Sequence, residues 1–176
     1  MMKSKKRFSA LLMAVLTLLI AGAAGFAQRH LIIGNAARLI SKPDVKVQLA
    51  AAVERDAALV PLDKAAAVKP GEILDWTITS ENSGNAAALE YKAVGHIPRG
   101  TTFVADSAKA AGARTVYSID NGKSYSAQPM IEVPQADGSV KQVAAPVSMY
   151  TEIRYEWADP LAQGGKLSAS YKVRVK

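Results

Sequence analysis

The stretch Ile73-Leu74-Asp75-Trp76-Thr77-Ile78-Thr79-Ser80 decides the fold class of this chain. Its apolar side chains, Leu74, Trp76 and Ile78, occupy alternate positions, and polar side chains stand between them. Successive side chains of an extended strand point to opposite faces, so this alternation predicts a β-strand with one buried face. The β-branched and aromatic residues in the stretch favour the same assignment.

Turn signals bracket this strand on both sides. Pro70-Gly71 stands before it, and Asn82-Ser83-Gly84-Asn85 follows it. Proline next to glycine favours a turn, and asparagine and glycine adopt positive φ at little cost. We therefore expect the strand to begin after Gly71 and the chain to turn at Asn82–Asn85 into another strand.

Several further segments carry strand signals between turns. They are Val45–Leu49, Ala88–Ile97, Thr101–Val104, Thr115–Ile119, Thr151–Trp157 and Leu167–Lys176. In the first, Val45, Val47 and Leu49 alternate with polar residues, which predicts a strand with these three side chains buried. Asp120-Asn121-Gly122-Lys123 predicts a hairpin with Asn-Gly at its tip, returning at Ser124–Ser126. No strand is predicted in the Pro-bearing segment 129–146. Short strands separated by turns indicate an all-β sandwich or barrel.

The first 27 residues have the layout of a signal peptide. Residues 3–7 include four basic side chains and no acidic one, and residues 10–27 carry no charge. Small residues at Gly25 and Ala27 favour cleavage before Gln28. The alternative is a retained membrane anchor, because 18 uncharged residues lie at the lower limit for spanning a bilayer. Cleavage is preferred because the small residues collect at the C-terminal end of the apolar run, and it leaves residues 28–44 as a leader to the domain.

Composition excludes several kinds of chemistry in the mature chain. The sequence has no cysteine, which excludes a disulfide framework, a thiol nucleophile and a thiolate zinc site. Loss of the four basic signal residues lowers the net charge from +7 to +3, so the basic character gives little support to nucleic-acid binding. A chain of the remaining 149 residues is long enough to fold as one domain around a packed core.

Candidate catalytic and metal-binding residues are few. Acyl transfer would need His30 or His96 as its base. His30 lies close behind the proposed cleavage site, and for His96 a surface or half-buried structural role is preferred over a catalytic one. Two histidines without a nearby carboxylate do not predict a zinc site. Glu152 and Glu156 share a strand face as a glycosidase pair would, but their alternation with Ile153, Tyr155 and Trp157 indicates a solvated strand face. The Asp120–Lys123 segment is interpreted as a turn and not as a calcium loop, which needs further ligands.

Aromatic and basic side chains on the strands have structural explanations. Trp76 and Trp157 could stack on sugars, but each shares a face with aliphatic neighbours, which predicts a place in the core. Basic residues alternate on the last segment, at positions 172, 174 and 176. We interpret them as charges that protect an edge strand from aggregation, with a basic binding patch as the alternative.

The order of these features resembles a conserved-repeat domain of unknown function from bacterial cell-surface and secreted proteins. The resemblance covers residues 45–176 and is carried by the Pro70-Gly71 turn, the Trp76-Thr77-Ile78-Thr79 strand, the Asn82-Ser83-Gly84 turn, the Ile97-Pro98-Arg99-Gly100 corner and the last two strands around Asp159–Gly165. It implies an immunoglobulin-like antiparallel β-sandwich over residues 45–176 and supplies no catalytic residues. Members often carry tandem copies, whereas this chain has one.

Together these observations predict an exported, non-enzymatic structural or interaction module of the bacterial cell envelope, in the periplasm or outside the cell. We assign no catalytic, cofactor-binding or metal-ligating residue and no cofactor. Other envelope or surface proteins are the expected partners, with no nucleic acid and no stable membrane insertion after cleavage; association through the terminal strand is left open. The alternative is a domain that binds a small ligand or carbohydrate with the loops at Asn82–Asn85, Arg99–Thr102 and Asp120–Lys123.

Overall fold

The computed structural model describes residues 41–56, 58–65 and 67–176. The predicted signal peptide (residues 1–27), His30 and all but the last four residues of the predicted leader (28–44) lie outside the described residues. Within the part of the chain that is described, no helix is long and apolar enough to cross a membrane. Residues 41–44 run without regular structure into the first strand.

Strands account for nearly all regular structure in the described ranges. In chain order they are β1 (Val45–Arg55), β2 (Ala58–Pro61), β3 (Ile73–Asn82), β4 (Lys92–His96), β5 (Thr101–Phe103), β6 (Lys109–Ala110), β7 (Ala113–Ser118), β8 (Met130–Pro134), β9 (Val140–Ala144), β10 (Glu152–Trp157) and β11 (Lys166–Val175). A single 3-10 turn, Val147–Met149, precedes β10. The predicted all-β class is confirmed.

The strands form two sheets and a separate hairpin, and their pairings are antiparallel. The first sheet has the order β2-β1-β3-β11-β5, with β6 also paired to β11. The second sheet has the order β4-β10-β7. β8 and β9 pair only with each other. This arrangement is consistent with a β-sandwich.

The strand predicted from residues 73–80 is β3, at the centre of the first sheet. Leu74 and Ile78 are buried as predicted, and Trp76 is partly buried beside them. The preceding turn takes the backbone through Gly71 at φ +88°, a conformation that glycine tolerates at no steric cost. Alternation and turn chemistry therefore define this strand correctly.

The core lies between the two sheets. Tyr155 of the second sheet and Tyr171 of the first are both almost fully buried. Each hydroxyl donates a hydrogen bond to a backbone carbonyl of the opposite sheet: Tyr155 to Ser170 at 2.8 Å and Tyr171 to His96 at 2.6 Å. Two buried polar groups are thus satisfied by bonds that join the sheets.

Gly95 of β4 allows the sheets to approach at this point. A Cβ atom on Gly95 would lie 2.4 Å from Cε1 of the Tyr171 ring. Because real side chains do not approach so closely, the ring packs directly on the glycine backbone, and any larger residue would displace it.

Two strand interpretations are wrong. Val47 and Leu49 are not buried, because the three-stranded second sheet does not extend over the first half of β1. β11 is not an edge strand, because β3 pairs on one side of it and β5 and β6 on the other. Its basic residues are held locally: Lys172 Nζ lies 3.1 Å from Glu54 Oε2.

The segment after β7 also differs from its prediction. The chain does turn at Asn121 and Gly122, both at positive φ, but the return is a single bridge between Tyr117 and Ser126 and not a strand. The segment 129–146, in which no strand was predicted, contains the β8–β9 hairpin.

Candidate functional site

The first half of β1 forms an exposed sheet edge. β2 pairs with β1 only from Ala52 to Arg55, whereas β3 pairs with β1 from Val45 to Val53. The five residues Val45–Leu49 therefore have a strand on one side and, among the described residues, none on the other. We call this segment the open edge.

Two hydrogen bonds fix which backbone groups of the open edge point outward. The carbonyl of Asp44 accepts from Ser83 N at 2.8 Å, so Asp44 faces the β3 side. The carbonyl of Ala51 accepts from Leu62 N at 2.8 Å, so Ala51 faces the opposite side. Because backbone groups alternate along a strand, residues 45, 47 and 49 share the orientation of Ala51. Their N–H and C=O groups point away from β3, along the open edge.

Apolar side chains accompany these outward backbone groups. Val47 is 57% exposed and Leu49 58% exposed, although both point toward the inner side of the first sheet, opposite Ser80 and Ile78 in the pairing with β3. Farther along the same face of β1, Val53 is fully buried beneath the second sheet. The open edge thus combines unpaired backbone with uncovered apolar side chains.

Three of the other edge strands, β4, β5 and β6, lack this combination. β4 has five residues, and its exposed face carries Lys92 and His96 beside Val94. β5 and β6 have three and two residues. Charged side chains and short length are common protections of a sheet edge, and the open edge has only Lys46.

A second surface feature is a cleft of about 380 Å³ at one end of the two sheets. Arg99–Thr101 and Asn121 line it, so the structure brings together two of the three loops predicted for ligand binding. The third loop, Asn82–Asn85, lies at the far end of the ten-residue β3, roughly 30 Å from the cleft. Asn82 is buried there, and its side-chain oxygen accepts a hydrogen bond of 3.1 Å from the backbone N–H of Asp44, just before β1.

The carboxylate of Glu152, in the cleft wall, contacts two neighbouring side chains. Its Oε1 lies 3.1 Å from His96 Nδ1, and its Oε2 accepts a hydrogen bond from the Tyr125 hydroxyl. The His96 side chain is 75% exposed, whereas that of Glu152 is only 12% exposed. Burial and the bond to Glu152 raise the pKa of Tyr125 to about 12, so this phenol stays a donor at neutral pH.

Gly122 is required where the turn meets Glu152. Its φ is +81°, and a Cβ atom would lie 2.6 Å from Glu152 Oε2 and 3.0 Å from the Tyr125 hydroxyl. The turn is held from the other side by Asp120, which accepts bonds from the hydroxyls of Ser118 and Ser124. Bonds from Ser124 and Ser118 lower the pKa of Asp120 to about 2. Both of its oxygens thus accept hydrogen bonds within the turn.

The interpretation of Glu152 and Glu156 as a solvated strand face is wrong. The Glu156 side chain is 20% exposed and binds Arg154, whose Nη2 lies 2.5 Å from Glu156 Oε1. The Arg154 guanidinium also covers the Tyr125 ring, 3.8 Å from its centroid. The loop after β7 folds over this face, which local alternation could not reveal. Both carboxylates serve as acceptors within the wall.

The two tryptophans are packed within the first and second sheets. Trp157 is buried, and its Nε1 donates to the Ala111 carbonyl at 2.9 Å; Trp76 stacks on Tyr171 with ring centroids 6.5 Å apart. Trp157 is thus too buried to stack on a sugar, and Tyr171 stacks on one face of the Trp76 ring. Across the described ranges, no group of three histidine, cysteine, aspartate or glutamate side chains is arranged to hold a metal ion.

Comparison with known proteins adds no assignment. No protein-family model matches the sequence, and searches of curated proteins and of solved structures find no match either.

Proposed function

We propose that this chain is an exported, non-enzymatic structural or interaction module of the bacterial cell envelope that binds an extended polypeptide strand along its open edge. The observation that carries the proposal is the coincidence, at Val45–Leu49, of outward backbone groups and exposed apolar side chains. An added strand would satisfy both at once.

The physical basis is strand addition to a sheet. A strand paired along Val45–Leu49 would exchange N–H and C=O groups with residues 45, 47 and 49, up to six hydrogen bonds if the partner is extended throughout. Each bond contributes roughly 0.5–1.5 kcal/mol net, and covering Val47 and Leu49 adds apolar burial. Specificity would come from alternate apolar side chains of the partner beside Val47 and Leu49.

Export and an immunoglobulin-like fold belong to the same proposal. The basic and then uncharged N-terminal sequence supports export, and the absence of cysteine is compatible with a domain stabilised by its core alone. The sheet arrangement supports a β-sandwich, and the order of turns supports the resemblance to the conserved-repeat domain. Fractionation of producing cells with mass determination of the N-terminus tests export: a chain beginning at Gln28 in the periplasm or medium is expected, and an intact Met1 in the membrane would contradict cleavage.

Site-specific photo-crosslinking in producing cells tests the binding role. A photoreactive residue at Gln48 lies on the exposed outer face of the open edge and leaves Val47 and Leu49 unchanged. Ser168 provides a matched control. It is exposed on the same face of the first sheet, and both Gln48 of β1 and Ser168 of β11 pair with Thr79 of the intervening β3. We expect a discrete crosslinked product from position 48 and none from 168. Equal labelling from both, or none from either, would refute edge binding.

A second candidate function is small-ligand binding in the cleft. The convergence of Arg99–Thr101 and Asn121 beside Glu152 and His96 favours it. Titration of the ¹⁵N-labelled protein with a panel of neutral and acidic monosaccharides tests it. Shifts confined to the cleft residues and lost in Arg99→Gln would support this function, and unchanged spectra across the panel would dismiss it.

A further inference from the structure

We infer that Asn121-Gly122 is a deamidation site in the wall of the cleft, and that the buried hydroxyl of Ser118 slows the reaction in the folded chain. The inference begins from the dipeptide itself. Asparagine followed by glycine deamidates readily, because the glycine has no side chain to hinder its backbone nitrogen. Asparagine stands at positions 35, 82, 85 and 121 of the sequence, and only Asn121 precedes a glycine.

The turn after β7 favours both residues of this pair. Asn121 has φ +58° and Gly122 has φ +81°, and asparagine and glycine are among the residues that adopt such angles most readily. A Cβ atom at position 122 would lie 2.6 Å from Glu152 Oε2, so a larger residue would clash there. Asn121 is exposed and lines the cleft. The fold therefore places a chemically labile pair in the cleft wall.

The reaction proceeds through a cyclic imide. The Gly122 nitrogen gives up its proton and attacks Cγ of the Asn121 side chain. The new bond between this nitrogen and Cγ closes a succinimide ring, and the side-chain nitrogen takes up the proton and leaves as ammonia. Water then opens the ring at either carbonyl, which gives aspartate or isoaspartate at position 121. Water is the only co-reactant, and nothing is oxidised or reduced.

The Ser118 hydroxyl opposes the first step of this reaction. Ser118 is 1% exposed, and its Oγ accepts the N–H of Gly122 at 2.9 Å and that of Asp120 at 3.2 Å. While the bond to Gly122 holds, the attacking nitrogen keeps its proton and is directed at Ser118. The N–H of Asn121 is held as well, by Thr151 Oγ1 at 3.1 Å. Attack therefore requires the turn to open, as amide hydrogen exchange does.

The product would change the cleft in one direction only. Aspartate at position 121 adds a negative charge next to Asp120 and close to Glu152, which disfavours an acidic ligand. Isoaspartate lengthens the backbone by one carbon atom, so that Gly122 can no longer meet Ser118 in the same turn. Deamidation therefore loosens a loop that the unmodified chain holds closed.

Asn82 provides a comparison within the same molecule. It is fully buried, its Oδ1 accepts the N–H groups of Asp44 and Gly84, and its Nδ2 donates to the Leu161 carbonyl. The residue after it is Ser83, whose side chain hinders attack by the backbone nitrogen. We therefore expect Asn82 to stay intact while Asn121 reacts.

Peptide mass mapping of the purified chain, aged in mildly alkaline buffer with and without guanidinium chloride, tests the site. Deamidation raises the mass of a peptide, whereas Asp137-Gly138 can form the same ring only without a net change in mass. In denaturant, the peptide that contains Asn121 should gain mass before the one that contains Asn82. In the folded chain the same gain should be at least about tenfold slower.

Two serine variants test the part played by Ser118. Ser118→Ala removes the acceptor of the Gly122 N–H. Ser107→Ala is the matched control, because Ser107 Oγ also accepts a backbone N–H, that of Lys172 at 3.0 Å, in the loop between β5 and β6. Without denaturant, Ser118→Ala should deamidate roughly two- to tenfold faster than Ser107→Ala, the factor expected for the loss of one hydrogen bond.

Every other outcome overturns a stated part of the inference. A mass gain that appears first in another peptide, or in none, overturns Asn121 as the site. Equal rates with and without denaturant overturn protection by the fold. Equal rates in the two serine variants overturn the role of Ser118. If Ser118→Ala fails to fold by circular dichroism, the comparison of the parent chain with and without denaturant still decides the site and its protection.

Discussion

The hydroxyl groups of Tyr155 and Tyr171 should stabilise the packing of the two sheets. Each donates to a carbonyl of the opposite sheet, at 2.8 and 2.6 Å, from a ring that is almost fully buried. Removing a buried hydroxyl forfeits a bond of about 1 kcal/mol and leaves a carbonyl without that donor. We expect Tyr155→Phe and Tyr171→Phe each to lower the free energy of unfolding by about 1–2 kcal/mol, equivalent to roughly 3–8 °C in Tm for a domain of this size.

Tyr150 supplies the control for this prediction. Its ring packs on Phe103 and Tyr117, but its hydroxyl makes no hydrogen bond to any described residue. Tyr150→Phe should therefore change stability by less than about 0.5 kcal/mol. Urea denaturation followed by fluorescence of the two tryptophans measures all three variants. Equal losses of unfolding free energy in Tyr150→Phe and Tyr155→Phe would show that the hydrogen bonds between the sheets do not stabilise the fold.

Three glycine substitutions and a rise in pH test the packing further. Gly138→Ala should lower the free energy of unfolding by about 1–2 kcal/mol, because Gly138 has φ +82° with no atom near the added Cβ. Gly122→Ala should lower it by at least about 1 kcal/mol more, because its Cβ would also clash with Glu152. Chemical denaturation of both variants measures the difference. Gly95→Ala should destabilise by about 1–3 kcal/mol through the clash with Tyr171, and a neutral or stabilising result in the same assay would contradict that contact. Burial raises the pKa of Tyr171 to about 12, so its neutral phenol stabilises the fold fully below pH 10, and this contribution is lost as the pH rises from 10 to 12. Absorbance at 295 nm and circular dichroism should therefore change together between pH 10 and 12. Ionisation of all tyrosines near pH 10 without unfolding would refute this expectation.

The central strands of the fold could be predicted from local sequence. In β3 and β10 the apolar residues alternate with polar ones, and the apolar residues face the core along the strand. The sequence pattern and the observed burial therefore match. The sequence does not predict the β8–β9 hairpin, because prolines at 129, 134 and 146 interrupt this segment, although Asp137-Gly138 is a typical hairpin turn pair. The Asp137-Gly138 pair is the sequence signal for its turn, and Gly138 has φ +82° there.

Other features depend on which strands meet, which a single sequence does not specify. Val47 and Leu49 have the pattern of a buried face, and only the width of the second sheet leaves them exposed. β11 ends the sequence but lies inside its sheet, so its charges do not protect an edge. Glu152 meets His96 because β4 and β10 pair in that register, a contact between residues far apart in the chain.

Amide hydrogen exchange of residues 45–50 tests the open edge most directly, because alternate amides along this segment have different partners. In dilute purified protein, the amides of Val45, Val47 and Leu49 should exchange rapidly while those of Lys46, Gln48 and Ala50, which face β3, stay protected. Protection of all six amides would contradict the account.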